Sequence, residues 1–380
     1  ESLNVDDEAG KIRVDGRLLK EGDALSIDGT TGEVILGHLD PHPSEIQQVL
    51  IEKTMKPEKS ELFGRFSTLM RWADKAARLK VRTNADTPKD SAVARAFGAK
   101  GIGLCRTEHM FFAEDRLLAM REMIFADDAD DRRSILERIL PMQRADFIEL
   151  FEIMDGKPVT IRLFDLPLHE FLPASREGLR ELAEALDIPV SDVTRRAQAL
   201  TEFNPMLGMR GVRLGLTVPE IYDMQARAMF EALVALSRSG SEVVPEIMIP
   251  LVSARREVEI VKARIDAVAA AVRIELGADF DYRLGVMVET PRAARHSGAI
   301  APHCAFLSFG TNDLTQMTYG LSRDDAGRFM GAYVTQGVYE EDPFHTLDQE
   351  GVGELLSIGA ERARAAQPGL TLSICGEHGG

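Results

Sequence analysis

Glu289 closes the apolar run Leu284-Gly285-Val286-Met287-Val288, and Asp313 follows Ala305-Phe306-Leu307-Ser308-Phe309 by way of Gly310-Thr311-Asn312. Carboxylates are hard oxygen donors, and Mg²⁺ takes one or two of them, filling its octahedron with water and substrate oxygens. On neighbouring strands Glu289 and Asp313 are therefore the expected metal ligands; the alternative is that each caps the next helix or pairs with an arginine. Arg106, Arg162, Arg210 and Arg323 offer planar, always-charged forks that match phosphoryl and carboxylate oxygens. Their competing reading is salt bridges to Glu108 or Asp165. Gly310, Thr311 and Asn312 combine close backbone approach with hydroxyl and amide donors, a suitable wall for an anion, although glycine after a strand also marks a tight turn. Cys375 lies between an apolar run and a glycine-rich loop beside Glu377 and His378. A thiol with a reference pKa of about 8.5 is mostly protonated at neutral pH and suits a general acid. Cys105 and Cys304 sit in or before apolar runs, as inert core cysteines do. His109, His169 and His378 fall near strand ends, where they can orient neighbours. Residue chemistry alone thus points to a Mg²⁺-dependent site for a small anion bearing carboxylate and phosphoryl groups, with a thiol acid opposite.

Such a site needs a scaffold that brings distant segments to one face. After Leu79 short apolar runs alternate with amphipathic helical text, the signature of βα units around a parallel sheet. The runs are Lys80–Thr83, Gly101–Cys105, Val159–Leu163, Gly211–Leu214, Glu246–Leu251, Leu284–Val288, Ala305–Phe309 and Leu370–Ile374. Eight runs predict an α/β fold, a (β/α)₈ TIM-type barrel over residues 80–380, whose active site lies at the C-terminal ends of the strands. Glu114 to Gly156 reads as an insertion with two helical segments. Its acidic stretch Asp127 to Arg133 is either a contact surface or a solvated face. Ahead of the barrel, alternating runs between Lys11 and Gly37, punctuated by Asp15-Gly16 and Glu21-Gly22-Asp23, predict antiparallel strands within a small β-rich domain, residues 1–38. Residues 39–79 read as a helical linker, with Ser44 as a helix cap.

Composition narrows the function classes. The chain has 380 residues, of which 44% are hydrophobic and 28% charged, so it is long enough for several domains and is neither disordered nor collagen-like. A net charge of −16 disfavours nucleic acid and other polyanions over a broad surface, which makes the arginine cluster a local basic pocket. Three cysteines fit a reducing, cytoplasmic setting better than a disulfide scaffold. No apolar run approaches the roughly 20 residues of a membrane span. The chain lacks an initiator Met and stops in a glycine-rich loop, so it is expected to be part of a longer protein.

Six ordered motifs, Gly101 to His109 (GIGLCRTEH), Thr160 to Pro173 (TIRLFDLPLHEFLP), Asn204 to Arg213 (NPMLGMRGVR), Val286 to Pro291 (VMVETP), Phe309 to Gln316 (FGTNDLTQ) and Cys375 to Gly380 (CGEHGG), resemble the C-terminal part of the pyruvate, phosphate dikinase family. Leu166 stands where that family would have proline. The resemblance implies a barrel that binds pyruvate and phosphoenolpyruvate, with upstream phosphohistidine and ATP-grasp domains, in a cytoplasmic homodimer. Residues 1–38 would be the end of the swivelling phosphohistidine domain, and the family continues past Gly380 with another strand and helix. The family reaction interconverts ATP, phosphate and pyruvate with AMP, diphosphate and phosphoenolpyruvate, by Mg²⁺-dependent phosphoryl transfer between a phosphohistidine and the pyruvate enolate. Carried over, Arg106 and Arg162 meet the transferring phosphoryl group, Glu289 and Asp313 hold Mg²⁺, and Gly310, Thr311 and Asn312 surround the substrate. Cys375 becomes the proton donor to the methylene carbon. Arg210 and Arg323 match substrate-binding positions of the related enzyme I of the sugar phosphotransferase system. That enzyme, phosphoenolpyruvate synthase, and a non-catalytic phosphoenolpyruvate sensor are the alternative readings.

Overall fold

The computed structural model describes residues 4–379 apart from 7–9, 15, 16, 30, 41, 239 and 242. Contacts divide the chain into two compact units, residues 1–77 and 78–380.

In the first unit β1 (Asn4–Asp6), β2 (Lys11–Val14) and β3 (Arg17–Lys20) form an antiparallel sheet, and β4 (Leu25–Asp28) pairs antiparallel with β5 (Glu33–Leu36). The turn expected at Asp15-Gly16 lies outside the described residues. Residues 39–79 hold two helices, Glu45–Leu50 and Glu61–Ala76, rather than one continuous element. Ser44 caps the first as expected: its hydroxyl accepts from Gln47 N–H while the Gln47 side chain accepts from Ser44 N–H. Ser60 caps the second by accepting from Phe63 N–H at 2.9 Å.

The second unit is built on a seven-stranded parallel sheet, β6 (Thr83–Asn84), β7 (Ile102–Arg106), β8 (Val159–Arg162), β9 (Pro245–Ile249), β10 (Arg283–Val288), β11 (Phe306–Gly310) and β12 (Thr371–Cys375). Spatial order follows chain order, as in a TIM-type barrel wound from βα units. The sheet curls: Arg82, just ahead of β6, reaches Glu246 on β9 at 2.5 Å and Thr160 on β8 at 3.2 Å. Period-two alternation sorts the side chains between two faces. Leu104, Met248, Met287 and Phe306 pack together in the interior with Cys375 against them, whereas Ile247, Ile249, Val286 and Val288 join the large core between sheet and helices. Burial on both faces explains why β9, β10 and β11 read as largely apolar runs.

One predicted strand is a helix. Gly211–Leu214 belongs to the helix Gly211–Thr217, inside the crossover from β8 to β9. Extended Arg210 is followed by Gly211 at φ +56°, which swings the chain into the helix, and Val212 and Leu214 are buried there as helix residues. A four-residue apolar run cannot by itself distinguish a period of 2 from one of 3.6. The first strand overlaps its run only at Thr83, and with Gly211–Leu214 helical the sheet has seven strands among the described residues, with β6 and β12 at its edges. The insertion holds the two expected helices, Glu114–Phe125 and Ala129–Ile153. No helix among the described residues is long and apolar enough to cross a membrane.

Candidate active site

Parallel strands deliver their last residues to one end of the sheet, and a cavity of about 320 Å³ opens there. Arg106 ends β7, Arg162 ends β8, Gly310 ends β11 and Cys375 ends β12, while Glu289 immediately follows β10. All five line the cavity, as do Asn312 and Asp313 from the first turn of the helix Thr311–Tyr319. Asn84, Leu104, Met287, Gly376 and Glu377 complete the wall.

Three of the residues singled out from sequence stand elsewhere. Thr311 is fully buried, its hydroxyl donating to the Cys375 carbonyl at 3.0 Å. Arg210 lies buried behind the wall. Arg323 begins the helix Arg323–Ala326, with its side chain 40% exposed and its Nη2 3.4 Å from Glu377 Oε1.

Beneath the cavity runs a chain of buried charges. Arg162 pairs with Glu108 and, at 2.9 Å, with Asp165. Asp165 also accepts two hydrogen bonds from Arg210, from Nε at 3.1 Å and Nη2 at 2.8 Å, and Arg210 Nη2 extends to Asp313 Oδ2 at 3.4 Å. The salt-bridge reading of Arg162 and Arg210 therefore holds alongside any ligand role. Burial opposes charge on both guanidiniums, but Glu108 and Asp165 for Arg162, and Asp165 for Arg210, more than offset it and hold both firmly protonated. Arg106 is the freest of the three, one third exposed, with a single ion pair at 3.4 Å to Asp86.

Glu289 is almost wholly buried, and Leu251 N–H donates to its Oε1 at 2.6 Å. Burial drives its carboxyl well above the usual range, and the negative charges of Asp313 and Asp165 push the same way. A buried carboxyl whose ionisation its neighbours disfavour suits a cation at its side. With Glu289 ionised, as a bound cation would hold it, Asp86, Glu108, Asp165, Glu289 and Asp313 around the cavity face Arg106, Arg162 and Arg210, a formal excess of two negative charges. One divalent ion offsets it. No group of three or more His, Cys, Asp or Glu capable of holding a metal occurs among the described residues. A donor set of two carboxylates accordingly fits Mg²⁺, which keeps water and substrate oxygens in its shell, better than Zn²⁺.

Cys375 is half-buried, and Ser308 Oγ lies 3.6 Å from its sulfur. Burial raises the thiol above its ordinary pKa, against the opposing pull of the Ser308 hydrogen bond, which favours the protonated form a general acid requires. Cys105 and Cys304 are buried in the core, as expected.

Asp86 is a site residue that the sequence reading missed. Its Oδ1 accepts from Arg106 N–H at 2.7 Å, and its Oδ2 lies 2.8 Å from His109 Nδ1 and 3.4 Å from Arg106 Nη1. Its signal was an acid just past the first apolar run, in Thr83-Asn84-Ala85-Asp86, one residue further from its strand than Glu289 is from β10.

Comparison with known proteins sets this geometry in a family. Residues 60–380 match the family described as PEP-utilising enzyme, PEP-binding domain (PEP, phosphoenolpyruvate). Among curated relatives, pyruvate, phosphate dikinase of Rhizobium meliloti (strain 1021) is 53% identical over 382 residues, covering 98% of this chain and 41% of the relative. The enzyme of the same name from Giardia intestinalis is 50% identical over 361 residues (95% and 39%), and that from Clostridium symbiosum 44% over 379 (100% and 42%). The chain spans about two fifths of the length of these relatives. By its matched sequence, its parallel barrel sheet and the cavity at the strand ends, the chain belongs to the PEP-utilising enzymes and carries their PEP-binding domain.

Proposed function

We propose that this chain is the pyruvate- and PEP-binding barrel of a pyruvate, phosphate dikinase, catalysing Mg²⁺-dependent phosphoryl transfer between a phosphohistidine and the pyruvate enolate. The observation that carries the reading is one cavity lined by two arginines, a carboxylate pair and a cysteine thiol. The names of the curated relatives favour it over a PEP synthase or enzyme I barrel.

In this reading Arg106 and Arg162 bind the phosphoryl oxygens, spreading the charge that phosphoryl transfer leaves on them. The N–P bond of the phosphohistidine breaks as the enolate oxygen forms its bond to phosphorus. Glu289 and Asp313 would hold Mg²⁺, which when bound supplies positive charge to the enolate oxygens. Asn312 Oδ1 accepts from Glu377 N–H at 3.0 Å, which leaves its amide hydrogens for the substrate. In the opposite direction the Cys375 thiol gives its proton to the methylene carbon, forming pyruvate and a thiolate that solvent reprotonates. Arg210 acts by orienting Asp165 and Asp313, and Arg323 by holding Glu377 at the rim. Residues 1–38 belong to the preceding phosphohistidine domain and 39–79 to the linker, with the ATP-grasp domain, the homodimer and a cytoplasmic setting completing the proposal.

The test is exchange of the methyl protons of pyruvate with solvent. The chain with Mg²⁺ is expected to catalyse it and the Cys375→Ala variant to lose it; exchange at the native rate in that variant removes Cys375 from its role.

A further inference from the structure

Cys375 ends an edge strand, and the loop behind it must be fixed if the thiol is to face the substrate. Hydrogen bonds hold that loop in place. Gly376 adopts φ +107° and lies so close to the helix Thr311–Tyr319 that a Cβ there would stand 2.3 Å from Thr311 Oγ1. Glu377 N–H donates to Asn312 Oδ1, and Thr311 Oγ1 donates to the Cys375 carbonyl. His378 ties these together: its Nδ1 lies 2.9 Å from the same Thr311 hydroxyl and its Nε2 3.0 Å from the carbonyl of Pro343. A carbonyl only accepts, so Nε2 carries a hydrogen, and the Thr311 hydroxyl shares its single hydrogen between Nδ1 and the Cys375 carbonyl. The imidazole thus bridges the Pro343 segment and the hydroxyl that grips the cysteine's own backbone.

We propose that His378 is a positioning residue for Cys375, acting through Thr311 and never touching the substrate. The inference deepens the functional reading above and rests on it for the role of the thiol, but the placement of the sulfur can be measured independently. Releasing the bridge frees the loop, and displacement of a reacting group by about 1 Å costs on the order of a hundredfold in rate.

The experiment compares the native chain with His378→Ala and His378→Gln, the glutamine keeping a donor that can reach the Pro343 carbonyl. Alkylation of Cys375 by iodoacetamide, followed by peptide mass spectrometry, reports the thiol's exposure, while Cys105 and Cys304 report the integrity of the core. In His378→Ala, Cys375 is expected to label severalfold faster with Cys105 and Cys304 still protected. The rate of pyruvate methyl-proton exchange should fall while KM for pyruvate is kept, and His378→Gln should recover part of both effects. Native labelling and exchange rates in the alanine variant would overturn the proposal, as would a rise in KM with no change in rate. If His378→Ala exposes the core cysteines, Thr311→Val, which keeps the side-chain volume and deletes the hydroxyl bridge, decides the matter with the same readouts. Absence of exchange in the native chain would contradict the functional reading instead, leaving Cys375 labelling to decide this one.

Discussion

Arg106 and Arg162 end adjacent strands and line the same cavity, yet they are held in opposite ways. Arg106 is partly exposed with one long ion pair, whereas Arg162 is buried between Glu108 and Asp165. Arg106→Ala is therefore expected to weaken PEP binding about 10- to 100-fold, the worth of a charge-assisted hydrogen bond, with little change in unfolding temperature. Arg162→Ala strands the buried carboxylate of Glu108, Asp165 keeping its pair with Arg210, and should cost about 3–5 kcal/mol of stability in denaturant unfolding in addition to binding. Asp86→Asn keeps an acceptor for Arg106 N–H but removes the charge that orients its guanidinium; it should weaken PEP binding by less than Arg106→Ala while leaving the fold intact, as calorimetry beside circular dichroism would show. Most of the lining was legible because a charged residue directly after an apolar run has few structural reasons to be there. Asp86, which holds Arg106 from outside the lining, was not, since its strand is two residues long and gives almost no pattern to count from. The pairing of Arg210 with Asp165, 45 residues away, was legible only as the alternative to a ligand role.

The crossover from β8 to β9 shows how an element serves the site without entering it. Gly211 takes φ +56°, and a Cβ there would meet Leu251 Cβ at 2.7 Å and Asp165 Oδ1 at 2.8 Å. Leu251 itself sits at φ +56° and gives its N–H to Glu289. Gly211→Ala should accordingly strain the backbone by about 1–3 kcal/mol and displace both Asp165 and Glu289, lowering stability and Mg²⁺-dependent PEP binding together. The Phe164 ring is fully buried against Phe111 and Phe171, away from the cavity lining. Phe164→Ala should cost about 3–5 kcal/mol through the cavity it leaves, read by denaturant unfolding. Strands buried on both faces announced themselves as apolar runs, and that made the barrel legible. The segment at Gly211 failed for a physical reason: its side chains are as apolar as a strand's, and what makes it helical is a positive φ at one glycine and tertiary packing, neither of which leaves a mark in a four-residue pattern.

At the level of the molecule a chain of net charge −16 sets Arg106, Arg162 and Arg210 at one end of a parallel sheet, among five buried or partly buried carboxylates that outnumber them. That arrangement repels a bare trianion unless a cation comes with it, so the account turns on metal-linked binding at Glu289 and Asp313. Titration of PEP into the chain by calorimetry, with Mg²⁺ and after its removal, measures that linkage directly. The account predicts binding with the ion, and its loss both without the ion and in Glu289→Gln; equal affinity with and without Mg²⁺ would contradict it.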